Sequence, residues 1–325
     1  MSPNRGREAT RTAAGIACGL AAGALWGFVF VAPRLLPEFG AVDLAAGRFL
    51  VFGAFSVTLL ATGRFRVAGV PWRVWRAAIL LGLVGNVFYY TAVVAAVRLV
   101  GAPLTAVIIG CLPATVAVVG GLRDRRLPLA RLALPTVMLT AGIGLLNLPG
   151  VGGAPSASSQ AWLGLAAAVG ALGLWTIYAV ANAEWLKRHP DMPSARWSSL
   201  TGAGTLVGIL ALLPAALALD VADFGMAGRT TSELAQFAGV AVVLGVGASW
   251  LAGWLWNEAS ARLPVGLAGQ LIASETLFAV GYSFALDGCW PTAIEGTAVL
   301  LVVAGVSSAV RAWRSEAGGP AGNSP

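Results

Sequence analysis

Residues 250–275, WLAGWLWNEASARLPVGLAGQLIASE, are apolar on both sides of a short interruption at 262–264. The stretch reads as two membrane helices joined by a tight turn, and it holds the densest aromatic and polar groups in the apolar part of the chain. On the first helix Trp250, Trp254, Asn257 and Glu258 recur at i, i+4, i+7 and i+8, which aligns them on one helical face. On the second, Glu275, Phe278 and Tyr282 share a face, with Gln270 and Ser274 on a neighbouring one. Carboxylates and amides inside a bilayer are costly unless they face protein or water, so they mark a pathway or a ligand site. The rest of the chain is expected to hold these groups in place.

Composition agrees. The 325 residues are 58% apolar and 11% charged, against roughly 25% charged in an ordinary soluble domain, and the mean hydropathy is +0.80. This is the composition of a polytopic membrane protein whose surroundings are the lipid bilayer. The net charge of +7 could suggest nucleic acid, but most of the arginines fall on one side of the membrane, where they set orientation. No nucleic-acid partner is expected. The cysteines Cys18, Cys111 and Cys289 form no CxxC pattern, so neither a disulfide framework nor a metal site follows. The single histidine, His189, lies in a loop, and there is no HExxH, GxSxG or intramembrane aspartate pair. No catalytic residue, cofactor or enzyme activity is therefore expected. The lack of GxxxxGK[ST] removes an ATP-driven pump on this chain.

In chain order, a basic start (1–11), expected to be cytoplasmic, leads to a first apolar run at 12–31, long enough to cross at ~20 residues per span. Gly15, Gly19, Gly23 and Gly27 form a ladder on it that bares backbone for close helix packing. Further spans read at 43–62, 77–97, 103–122 and 129–148. An uncharged Gly/Ser/Pro-rich linker at 149–160 divides the chain. The second half repeats the pattern at 161–186, 195–219, 234–259, 264–286 and 291–312, followed by a polar tail (313–325) expected to be cytoplasmic and disordered. With the N-terminus inside, only Arg34, Arg48, Arg98 and Arg229 of the 21 Lys and Arg fall outside, which predicts ten spans with both ends cytoplasmic.

Five spans is an odd number, so the second half enters the membrane inverted. Inverted repeats are a common architecture of secondary transporters, with the site at the midplane between the halves. At an offset of 163, Gly82, Asp124, Pro128 and Gly142 fall on Gly245, Asp287, Pro291 and Gly305, and Gly53 matches Gly202 at 149.

The five-plus-five pattern has further marks. The first span ends Ala24-Leu25-Trp26-Gly27-Phe28-Val29-Phe30, Arg48-Phe49 heads the second, and the third-to-fourth and eighth-to-ninth connections are short. In these features, over residues 12 to 312, the chain resembles the EamA-type transporters of the drug/metabolite transporter superfamily. The resemblance implies an all-α fold of ten transmembrane helices in two inverted five-helix repeats, 12–148 and 161–312, and a transport function. Such proteins often carry an acidic residue followed by proline in the fourth and ninth spans. Here the fourth has Leu112-Pro113 and the ninth Glu275-Thr276, so each half keeps one member.

The substrate-binding candidates are Trp26, Asn86, Tyr90, Trp175, Tyr178, Trp254, Gln270 and Glu275. Phe30 lies one turn from Trp26, Tyr89 beside Asn86, and Asn182 on the face of Trp175 and Tyr178. Aromatic rows at helical spacing are more often packing than ligand cages, and their value here is collective. A cavity lined by aromatics and few polar groups suits an amphipathic small-molecule substrate such as an amino acid, or an aromatic cation. Glu275 is the proton-coupling candidate, because a mid-span carboxyl can take up and release a proton during transport. A buried glutamate bonded to a neighbouring helix is the blander alternative. Arg48 and Arg98, near span ends, are expected to snorkel to headgroups, and Glu258 and Arg262 to form a solvated pair. The expected function is a secondary transporter, an exporter or exchanger, with a channel or a non-transporting scaffold or receptor as the alternatives.

Overall fold

Within hydrocarbon every backbone N–H and C=O must find a partner in its own segment, so long apolar runs become helices. The computed structural model describes residues 3–317 except 66, 101, 125–128, 147–160, 221, 223–227, 289 and 291, and all regular structure among the described residues is helical. The elements are α1 (Pro3–Leu35), α2 (Ala41–Ala61), α3 (Trp72–Gly82), α4 (Tyr89–Val100), α5 (Ala102–Ile109), α6 (Leu112–Asp124), α7 (Leu129–Leu146), α8 (Ala161–Arg188), α9 (Ser194–Ala218), α10 (Thr231–Val242), α11 (Ala252–Arg262), α12 (Val265–Ile272), α13 (Ser274–Asp287) and α14 (Ala293–Ala317). Among the described residues six helical stretches are long and apolar enough to cross a membrane: Thr10–Leu35, Ala41–Ala61, Trp72–Val100, Ala161–Arg188, Ser194–Ala218 and Thr231–Arg262. The others are shorter apolar helices.

Three features add to the sequence reading. Helix α1 begins at Pro3 and runs unbroken from the basic start into the apolar part. The third and eighth runs are interrupted by π-helical turns, Leu83–Phe88 joining α3 to α4 and Val243–Leu251 joining α10 to α11. The fourth and ninth are broken outright. Pro113 has no N–H to continue the ladder, and the chain tightens through Gly110 N–H to Ala106 O and Cys111 N–H to Ile108 O before α6 starts. At Ala273, between α12 and α13, the Ser274 hydroxyl donates to Leu271 O at 2.7 Å, a local bond of the kind that bends helices. The linker at 149–160, Cys289 and the tail beyond 317 lie outside the described residues.

These irregularities recur. The offset of 163 carries residues 83–88 into the second π-helical segment and Gly110 onto Ala273. Packing repeats likewise: α2 lies against α9, α6 against α12 and α7 against α14. In the last pair a Cβ on Gly142 would meet Val302 at 2.7 Å and one on Gly305 would meet Leu139 at 2.8 Å, so a glycine from each helix lets the other approach.

The glycine ladder of α1 packs as its spacing predicts. Gly15 lies against Leu263, Gly19 against Leu271, Gly23 against Ser274, and Gly27 against Phe278 and Ala279. Helix α1 thereby lies flush along the length of α12 and α13. At one end of the bundle Arg11, Lys187, His189, Glu258 and Arg262 surround an open pocket of about 790 Å³, the basic end of the molecule.

Candidate functional site

The two π-helical segments, α1, α2, α8, α9 and the junction of α12 with α13 surround a central cavity of about 180 Å³. Six of the eight residues singled out from sequence line it: Trp26, Asn86, Tyr90, Trp175, Tyr178 and Glu275. Trp26 and Trp175 meet edge to face at 6.2 Å, and Tyr178 stands edge-on to Trp175 at 5.8 Å. Asn86 donates to the Thr205 hydroxyl at 3.0 Å and the Tyr90 hydroxyl to Ala41 O at 3.0 Å, which fixes both against neighbouring helices. Glu275, in the first turn of α13, accepts no hydrogen bond among the described residues.

The other two lie elsewhere. Gln270 is fully buried between α12, α6 and α7, its amide donating to Pro113 O at 3.1 Å and Thr136 Oγ1 at 3.2 Å. It pins the broken fourth helix and does not line the cavity. Trp254 tilts against Trp250 at 6.0 Å and is absent from the cavity wall. Trp250, whose Nε1 donates to Ser199 Oγ at 2.9 Å, is likewise absent from the wall, and of that face Asn257 alone lines the cavity.

Sequence reasoning missed Arg48 as a cavity residue. Its guanidinium does not snorkel away: Nε donates to Ser249 Oγ at 2.7 Å and Nη2 to Ala248 O at 3.0 Å, while the cation lies 5.2 Å from the Phe49 ring. Both acceptors sit on the second π-helical segment. Nη1 has no protein partner among the described residues, and Arg48 lines the cavity. Tyr89, Ser198, Thr201, Ser249 and Asn257 complete the polar wall.

Toward the basic end the cavity is sealed. Trp256, 1% exposed, packs on Trp26 at 5.6 Å and on Trp175 at 5.8 Å. Beside this cluster Asn182 donates to Asn257 Oδ1 at 2.8 Å and accepts from Trp197 Nε1 at 2.7 Å, and Trp185 stacks on Trp197 at 3.5 Å. Arg262 pairs with Glu258 at the surface, as its spacing suggests. Among the described residues no group of His, Cys, Asp and Glu is placed to hold a metal ion.

Long apolar helices around a small chamber with one arginine, one glutamate and an aromatic lining define a multi-pass helical membrane protein built to admit a solute. Residues 13–148 match the EamA-like transporter family. The chain is also 31% identical over 305 residues to the inner membrane protein YtfF of Escherichia coli (strain K12), covering 92% of this chain and 95% of that protein. The chain belongs to the EamA-like transporter family, whose members are transporters and not enzymes, and it is a membrane transporter. A solved crystal structure of a protein shares the fold, with a TM-score of 0.73 at 21% identity over 93% of this chain and 99% of that one.

Proposed function

We propose that this transporter is a secondary active carrier of small amphipathic solutes, an exporter or exchanger of amino acids or related compounds, in which Glu275 carries the coupled proton. The observation behind the reading is the presence of Arg48 and Glu275 in the wall of one aromatic-lined cavity. A guanidinium with a free edge favours a carboxylate in bidentate geometry, and a carboxylate without protein donors favours an ammonium. Trp26, Trp175 and Tyr178 offer apolar surface beside the pair. An α-amino acid carries this set of groups, with its carboxylate and ammonium on one carbon and its side chain projecting from the same carbon.

The same reading takes the chain as ten spans in two inverted repeats with both termini cytoplasmic. The recurrence of π-helical segments and helix breaks at one offset supports it. So does direction: α11 ends at the basic end with Arg262, whereas α4 ends where Arg98 shares a pocket with Val42 and Leu219. The two π-interrupted helices therefore run in opposite senses.

The test is uptake into proteoliposomes of a mixed panel of amino acids, nucleosides and aromatic cations, with and without an imposed pH gradient, and with Glu275→Gln in parallel. Saturable amino-acid uptake, accelerated by the gradient and insensitive to it in the variant, is expected. Uptake by Glu275→Gln equal to wild type at every pH between about 5 and 8 rejects the proton role. No saturable uptake of any panel member by folded protein rejects the carrier.

A further inference from the structure

The central cavity has a neighbour on the far side of Phe30 and Glu275. A second chamber of about 350 Å³ lies between α5–α6 and α12–α13, with Ile143 of α7 behind it. The two chambers share wall residues Phe30, Leu112, Ile272 and Glu275. Beyond that wall the lining is apolar, with Ala106 and Ile109 on one side and Ala279, Val280 and Phe284 on the other, relieved only by the hydroxyls of Thr276 and Ser283. The chamber exists because both helices break. Below the breaks α6 packs directly on α12, and above them α5 and α13 make no comparable contact among the described residues.

Phe30 stands in the partition. It is 60% exposed, although the next two residues of α1, Val31 and Ala32, are 1% and 0% exposed. The ring is not packed into the bundle, and it lines both chambers. We infer that the second chamber is an apolar subsite for the side chain of the transported solute, with Phe30 as the partition that sets how large a side chain is accepted.

The inference rests on the carrier reading above and sharpens it. The charged head of the solute sits at Arg48 and Glu275, and a branched aliphatic or aromatic body extends past Phe30 between α5 and α13. Continuity argues for this occupant, since Glu275 belongs to both chambers and a solute held by it has its apolar end at the shared wall. Each methylene buried there strengthens binding roughly fourfold, so the subsite favours leucine, methionine and phenylalanine over alanine. A lipid acyl chain is the other occupant that such a lining accepts.

The experiment measures binding, independent of transport, by titrating the purified full-length protein with alanine, leucine, methionine and phenylalanine and following intrinsic tryptophan fluorescence. Ser283→Phe and Ala106→Phe fill the chamber from opposite walls, and neither residue lines the central cavity. Each is expected to weaken leucine and phenylalanine by about tenfold or more while alanine stays within about twofold, and Phe30→Ala is expected to widen the preference for the larger ligands. Thermal melting of each variant separates misfolding from lost affinity, and either filling variant alone suffices. Equal weakening of all four ligands, or no change in any, overturns the subsite. A lipid that native mass spectrometry finds on wild type and not on Ser283→Phe, with ligand affinities unchanged, overturns it in favour of the acyl chain. If wild type binds none of the four, the carrier reading fails first and the subsite with it.

Discussion

Arg48 is held by acceptors that an α-helix would not offer. In an α-helix the Ala252 N–H would take Ala248 O; in the π-helical segment it turns to Gly247 O, and Ala248 O accepts the guanidinium. Ser249, bonded to Leu244 O at 3.1 Å, supplies the second acceptor. Lysine keeps the charge but not the planar fork, so it cannot hold both acceptors and still present an edge to the cavity. Arg48→Lys is expected to weaken amino-acid binding by about tenfold or more, since a hydrogen bond to a charged group is worth about 1.5–3 kcal/mol, and Arg48→Met to abolish it. Titration of folded variants checks both; wild-type affinity in Arg48→Lys would reduce the residue to a packing role. Glu275, Trp26, Trp175 and Tyr178 could be read from sequence because acids and clustered aromatics are conspicuous in apolar spans. Arg48 could not, because a basic residue near a span end looks the same whether it snorkels or turns inward. That Gln270 lies off the cavity could not be read either, because its spacing shows depth in the membrane and not which neighbour takes its amide.

At the scale of elements, spacing located the helices well and their interruptions poorly. Proline marks one break at Pro113, but the break at Ala273 and both π-helical segments depend on side-chain and tertiary contacts that no local pattern announces. Trp256 escaped notice because α11 is packed by α1, α8 and α9 and so has no single buried face. The glycines were easier, and they separate two kinds of helix contact. A Cβ on Gly27 would meet Ala279 N at 2.8 Å and Glu275 O at 2.9 Å, which pushes α13 and its carboxylate away from the cavity. A Cβ on Gly305 meets Leu139 and Pro135 of α7 at its nearest, and neither α7 nor α14 contributes to the central cavity wall. Overpacking of this kind costs about 1–3 kcal/mol. Both Gly27→Val and Gly305→Val are therefore expected to lower the melting temperature, and only Gly27→Val to weaken ligand binding in the protein that remains folded. Equal loss of affinity in both would mean that the cavity senses global stability and not the seating of α13.

For the whole molecule, the distribution of basic residues and the closure of the cavity make one joint claim. The cavity is sealed toward the basic end by Trp256 and the Asn182–Asn257 pair, so an inward-facing basic end makes this conformation closed to the cytoplasm. The charge bias was visible in sequence, whereas the seal was not, since it joins residues of α1, α8, α9 and α11 that are far apart in the chain. Orientation is testable at two exposed sites: Arg64, in the turn after α2, and Trp290, 94% exposed before α14. In a background lacking Cys18, Cys111 and Cys289, Trp290→Cys is expected to react with an impermeant maleimide on intact cells, and Arg64→Cys only after permeabilisation. The reverse pattern would turn the molecule over and make the observed cavity open to the cytoplasm. Labelling of both from one side would be harder to absorb, because an odd number of crossings separates the two sites in the inverted arrangement and the two halves could then no longer be antiparallel copies.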